Sequence, residues 1–219
     1  MVSPRLVFAV AICTTGLFAG PCVPDLLSNY EALGSGGCSV GPFNVKSFSY
    51  TLISSTVTIA DTDITVTPIF GLGSFGLTFS STKFDVSGTD SAKYLLAYTW
   101  DPGTVRSLED ILNTSTPVAP GFAQISTDAC VDAAFSGASC STFVDTIVVN
   151  HDGITPNLNA SVAFSPTIGT VGIRNTIELD ANGASSEFKD FSNILFVPEP
   201  STVIGGLFAA ALAFRRSRR

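Results

Sequence analysis

From Phe43 onward, apolar residues fall at every second position. Phe43 and Val45, then Phe48, Tyr50 and Leu52, alternate with polar neighbours. Val57 and Ile59, Ile64 and Val66, Phe75, Leu77 and Phe79, and Phe84 and Val86 repeat the pattern. Further alternating or apolar runs occupy Tyr94 to Trp100, Phe122 to Ile125, Phe143 to Val149, Ala160 to Phe164, Val171 to Ile173 and Ile177 to Leu179. A period of two puts one side of a strand against a core and the other toward water. Clusters of Gly, Ser, Asn, Asp and Pro separate the runs and supply the turns. Roughly ten short strands with frequent turns predict an all-β fold, a β-sandwich or jelly roll.

Two segments depart from that period. Leu26, Leu27, Tyr30 and Leu33 recur at three- and four-residue steps, so Pro24 to Leu33 predicts a short helix, stopped by Gly34. Ser107 to Leu112 predicts a second helix, with Ser107 as its cap and Asp110 three residues on. Asn113 to Pro120 reads as a loop, and Ser185 to Val197 as a last strand with a lead to the terminal segment.

Both ends differ from the body. Met1 to Arg5 is a short positive region, and Leu6 to Gly20 is apolar with small residues near its close, the form of a secretory signal peptide. Cleavage after Ala19 or Gly20 fits. Pro21 before Cys22 disfavours lipidation of that cysteine. At the other end, Pro198-Glu199-Pro200 precedes the uncharged run Val203 to Phe214, followed by Arg215, Arg216, Arg218 and Arg219. As a helix that run covers about 18 Å against a hydrocarbon core of about 30 Å, so it spans only with help from its flanks and from snorkelling arginines. Arginines beside a span stay on the cytoplasmic side, which puts the preceding chain outside.

The triplet, apolar run and terminal arginines together resemble the PEP-CTERM sorting signal of exported Gram-negative proteins, processed by exosortase. The spacing Cys22, Leu26, Tyr30, Leu33-Gly34 and Gly37-Cys38, followed by Phe43 and Phe48, also resembles the opening of many PEP-CTERM surface proteins. The resemblance implies export, a transient membrane anchor and release to or retention at the cell surface or extracellular matrix, with exosortase as processing partner. It implies no chemistry for the body. The expected organisation is residues 1–20 as signal peptide, 21–192 as extracellular all-β domain, and 193–219 as linker and sorting tail with a short transmembrane helix.

With both ends removed, six basic and 17 acidic residues remain, a net charge of −11. That balance argues against nucleic acid as a partner and against a general attraction to anionic lipid. Four cysteines follow the leader: Cys22, Cys38, Cys130 and Cys140. In an oxidising compartment they suggest two disulfides. Three pairings are possible. Cys22–Cys38 with Cys130–Cys140 is favoured, because each pair is local and closes a segment.

Signals of catalysis or metal binding are sparse. Gly71 to Gly76 matches GxGxxG, but it lies between strand-like runs with no helix after it and reads as a turn. His151 is the single histidine; Asp145 or Asp152 offers a formal Ser–His–Asp arrangement, yet Asn150-His151-Asp152-Gly153 reads as a turn. Asp61 with Asp63, and Asp128 with Asp132, lack the spaced oxygen series of a calcium loop. No CxxC spacing supports zinc. Trp100 and the tyrosines sit in periodic runs, where core packing is their expected role. No catalytic residue, metal or cofactor is expected. The reading is an exported structural or adhesive protein of the surface polysaccharide layer. The alternative is a jelly-roll carbohydrate-binding module, with exposed aromatics on a concave face. A secreted hydrolase, needing an acidic pair or a His-centred triad in a pocket, stands third.

Overall fold

The computed structural model describes residues 19–198, apart from 102, 136–138 and 141. The elements are β1 (Asp25–Leu26), α1 (Leu27–Ala32), β2 (Cys38–Val40), β3 (Phe43–Ser55), β4 (Thr65–Phe70), β5 (Ser74–Ser80), β6 (Asp85–Ser87) and β7 (Ser91–Asp101). They continue with β8 (Val105–Ser115), β9 (Phe122–Val131), β10 (Phe143–His151), β11 (Asn159–Ile168), β12 (Val171–Asp180) and β13 (Ser185–Phe196). A 3-10 turn, Asp61–Asp63, precedes β4.

Two antiparallel sheets face each other. One has the order β10-β9-β12-β7-β3-β2; the other runs β1-β4-β5-β13-β8-β11, with β6 added to β13. This is the sandwich that the two-residue period dictates, since each sheet buries one face. Phe43, Tyr98, Trp100, Phe79, Phe84, Phe188 and Phe191 fill the space between the sheets. Tyr98 stacks on Phe48 at 5.1 Å, and Phe43 meets Trp100 edge to face at 5.6 Å. Inward residues of β3 change parity from Phe43 and Val45 to Phe48. A bulge between Lys46 and Ser49 absorbs the step, with Ser47 at a φ of 58°.

α1 forms where the sequence predicts a helix, over a shorter span. Leu27 and Tyr30 face inward, Tyr30 Oη donates to Val23 O at 2.8 Å, and Gly34 ends the helix at a φ of 55°. The expected helix over Ser107–Leu112 is absent, because that stretch lies inside β8. Leu108, Asp110 and Leu112 point inward while Ser107, Glu109 and Ile111 point out. Pairing with β13 on one side and β11 on the other outweighs a weak helical signal. Asn113 to Ser115 likewise belong to β8 and not to a loop. Val171–Ile173 and Ile177–Leu179 join as the single strand β12. β13 runs through Phe196, so residues 193–196 belong to the body and not to the linker.

Both favoured disulfides are present, Cys22–Cys38 and Cys130–Cys140, with Cα separations of 5.0 and 5.7 Å. Closing a loop of about 15 residues contributes about 3 kcal/mol by the chain-entropy model. Replacing Cys22 and Cys38 together with Ala should lower unfolding stability by about that amount, read as a lower urea midpoint; an unchanged midpoint would contradict it. Among the described residues no helix is long and apolar enough to cross a membrane. Residues 1–18, Glu199, Pro200, the apolar run and Arg215, Arg216, Arg218 and Arg219 lie outside the described residues.

Candidate functional site

Two polar features stand out in this apolar sandwich. The first is buried. Four strands each place one polar side chain at a parity that otherwise points inward: Asp110 between Leu108 and Leu112, Thr127 between Ile125 and Ala129, Asn175 between Ile173 and Ile177, and Asn193 between Phe191 and Leu195. Registration brings them together, with Thr127 opposite Asn175 in one sheet and Asp110 opposite Asn193 in the other. Thr127 Oγ1 donates to Asn175 Oδ1 at 2.6 Å, and Asn175 Nδ2 to Asn193 Oδ1 at 2.9 Å. Tyr98 Oη donates to the same Asn193 oxygen at 2.6 Å, and Asn193 Nδ2 to Asp110 Oδ1 at 2.7 Å.

These bonds cross the core from sheet to sheet. Burial pushes the Asp110 carboxyl up to about 7, against the pull of the nearby Thr127 hydroxyl and the Asn193 amide. Burial first, and the Asp110 charge second, hold the Tyr98 phenol well above its ordinary range. A network of this kind fixes how the two sheets sit on each other. Every member of the network is buried, and together they tie one sheet to the other.

The second feature is a surface trough of about 650 Å3 over the far end of the seven-stranded sheet. Thr65, Ser80 and Asp190 lie side by side in its floor, matched across β4, β5 and β13. Thr62, Asp63, Ser81, Thr82, Glu187 and Lys189 rim it. Phe84 and Phe188 stack beneath at 4.5 Å and are fully buried, so the lining is hydroxyls and charges over an apolar base. The same sheet continues the hydroxyl pattern. Thr78 pairs with Ser192 through their hydroxyls at 2.9 Å, and Asn113 Nδ2 donates to Asp190 at 2.6 Å and Ser192 at 3.3 Å. These side chains bond to one another beside the trough, a connected row of hydroxyl, amide and carboxylate groups across β5, β13 and β8.

The carboxylates of the trough already have partners. Asp63 sits 2.9 Å from Lys83 Nζ and accepts the Ala60 N–H at 2.8 Å; the Lys83 contact, first, holds its carboxyl below the usual range. Glu187 accepts from Thr116. Nearby, Glu31 accepts the Tyr50 N–H at 2.6 Å and lies against Asp61; burial above all, then the Asp61 neighbour, pushes its carboxyl upward. That acidic pair borders a hollow of about 270 Å3 beside the stacked Tyr50 and Tyr94.

The residues weighed for chemistry in the sequence are scattered. His151 ends β10 with Nδ1 3.0 Å from Ser115 O, while Asp152 accepts the Ile154 and Thr155 N–H groups in a turn and Asp145 accepts that of Thr146. Asp128 binds Arg174 Nη2 at 2.5 Å and the Thr146 hydroxyl at 2.7 Å, and Asp132 accepts the Gly169 N–H. Among the described residues no three His, Cys, Asp or Glu side chains gather as metal ligands. Gly71 to Gly76 is the β4–β5 turn and the start of β5. Trp100, Tyr30, Tyr94 and Tyr98 are core residues and Tyr50 is half-buried. Phe70 is the exposed large aromatic among the described residues, at 59%. The buried network and the trough were not anticipated. Their signal was a polar residue at inward parity, and serines and threonines stacked at outward parity.

No protein-family model and no curated protein matches the chain. Among solved structures, a family 61 carbohydrate-binding module in complex with β-1,4-galactotriose is 13% identical, with 75% of this chain and 92% of that one covered, at a TM-score of 0.30. A carbohydrate-binding module described for specific mannan recognition is 12% identical, covering 70% and 98%, at 0.26. A family 11 module from Clostridium thermocellum, in complex with a β-1,3-1,4-mixed-linked tetrasaccharide, is 12% identical, covering 80% and 97%, at 0.21. Likenesses this distant leave the function to be read from the residues themselves.

Proposed function

We propose that the chain is an exported β-sandwich of the cell surface or extracellular polysaccharide layer, with a structural or adhesive and non-catalytic role. The pairing of all four post-leader cysteines is the observation that carries this reading, because such bonds persist in an oxidising compartment. The leader, the Pro198-Glu199-Pro200 triplet, the apolar run and the arginines supply a route: entry by a signal peptide, a temporary anchor, and processing by exosortase.

Direct contact with polysaccharide is the second reading, and the hydroxyl-lined trough with its extended Ser, Thr and Asn face favours it. A pull-down of the processed domain with matrix polymer separates the two, run with chelator and with competing sugars. A structural role bridged by divalent cations predicts loss of binding on chelation and at high salt. Direct recognition predicts loss with a particular sugar, and a marked weakening in Asp190→Ala, which also frees Asn113. Retention unaffected by either treatment would contradict both. Hydrolysis of the polymer that disappears in His151→Ala would overturn the non-catalytic reading.

A further inference from the structure

We infer that the β4–β5 hairpin apex, with Phe70 and Leu72 at its tip, is a membrane-contact site that seats the anchored domain on the lipid headgroup boundary. The inference rests on the proposed anchoring role of the terminal segment and goes beyond it, because it assigns the body's own orientation and contact residues.

Strand pairing gives the sandwich two distinct ends. The chain leaves β13 at Phe196, beside Ser74 of β5 and Ser107 of β8, with Phe70 of β4 paired to Phe75 at the same end. The Val197 N–H donates to Gly73 O at 2.9 Å, so the departing chain is bonded to the hairpin apex itself. The hairpin is built to expose its tip. The Gly71 N–H donates to Ser74 O at 2.8 Å, a Cβ on Gly71 would fall 2.2 Å from Ser74 Oγ, and Gly73 lies at a φ of 79°. Between those glycines Leu72 is fully exposed, at 107%. Beside it runs a trough of about 570 Å3 that includes Phe196, Val197, Glu109 and the exposed Arg106. Exposed apolar tips beside an arginine are what an interfacial site requires.

Chain length brings this end to the bilayer. Five residues separate Val197 from Val203, the first of the apolar run. Fully extended, that stretch reaches roughly 20 Å, which keeps the apex within about that distance of the surface once the run enters the membrane. Charge agrees. Asp61, Asp63, Asp90 and Asp152 lie in the turns of the opposite end, and Asp85 and Asp180 at the strand ends beside them. At the exit end, Asp101 is paired with Lys46 at 2.7 Å and Asp132 holds the Gly169 N–H. Glu109 beside Arg106 accepts from Asn159 Nδ2 at 2.7 Å and Asp145 is exposed near the start of β10, so the end nearer the bilayer carries fewer carboxylates than the opposite end, with Arg106 beside them.

Depth-dependent quenching tests this on the full unprocessed chain. It is reconstituted in vesicles of phosphatidylethanolamine with a minority of phosphatidylglycerol, carrying brominated acyl chains. The native Trp100 is fully buried and gives a constant background. The fluorophore introduced by Leu72→Trp should be quenched several-fold more strongly than one introduced by Ile154→Trp at the exposed far end, and Phe70→Ser should reduce the difference. Equal quenching at the two positions, in protein that floats with the vesicles, overturns the contact and leaves the anchor standing. Failure to float overturns the anchor and the contact with it.

Discussion

Replacing Asp110 with Asn should stabilise the domain at about pH 8 and change it little at about pH 4. The sign follows from the shift. Burial raises the folded carboxyl to about 7, while the unfolded one titrates near 4. A raised acid favours the protonated folded state, so its contribution is complete below the unfolded value and is lost as pH rises through the folded one. A gap of about three units corresponds to about 4 kcal/mol, an order-of-magnitude figure, lost between about pH 4 and pH 7. Asparagine keeps the acceptor for Asn193 Nδ2 and carries no charge, so it escapes that loss. Urea midpoints of both proteins across this range check it. The curves should converge at acid pH and separate toward neutral pH, and a constant offset would contradict the assignment.

Asn193→Leu should be the most damaging exchange of a single polar residue. One amide receives Tyr98 and Asn175 and donates to Asp110, so an apolar replacement orphans three buried groups at once. Each orphaned group costs about 1–3 kcal/mol, which gives a loss on the order of 4 kcal/mol or more. Asn113→Ala on the outward face of β8 should cost under about 1 kcal/mol, because Asp190 turns to water and Ser192 keeps the Thr78 hydroxyl. Similar losses at the two positions would mean that the network does not hold the sheets together.

The network also shows what was legible in the sequence. Phe75, Leu77 and Phe79 declare a strand because every inward position is apolar. Leu108-Glu109-Asp110-Ile111-Leu112 does not, because the inward middle position holds a carboxylate and outward Ile111 completes a helical spacing. Asn175 splits β12 into two apparent runs for the same reason. A polar residue at inward parity is ambiguous on one strand. Only the register between strands shows that Asp110 faces Asn193 and Thr127 faces Asn175. The disulfides were readable from locality. The trough was not, since it depends on Thr65, Ser80 and Asp190 arriving side by side from separate strands.

The proposed route outward rests on the two ends of the chain, and one measurement addresses both. Intact mass of the protein recovered from the cell surface or medium of the native host should lack the leader and the segment beyond the Pro198-Glu199-Pro200 region. The same protein should gain mass on reduction as two disulfides open. Glu199→Ala should retain the terminal segment and stay with the membrane fraction. A surface form of full-length mass with free thiols, or an unaltered mature terminus in Glu199→Ala, would contradict the account.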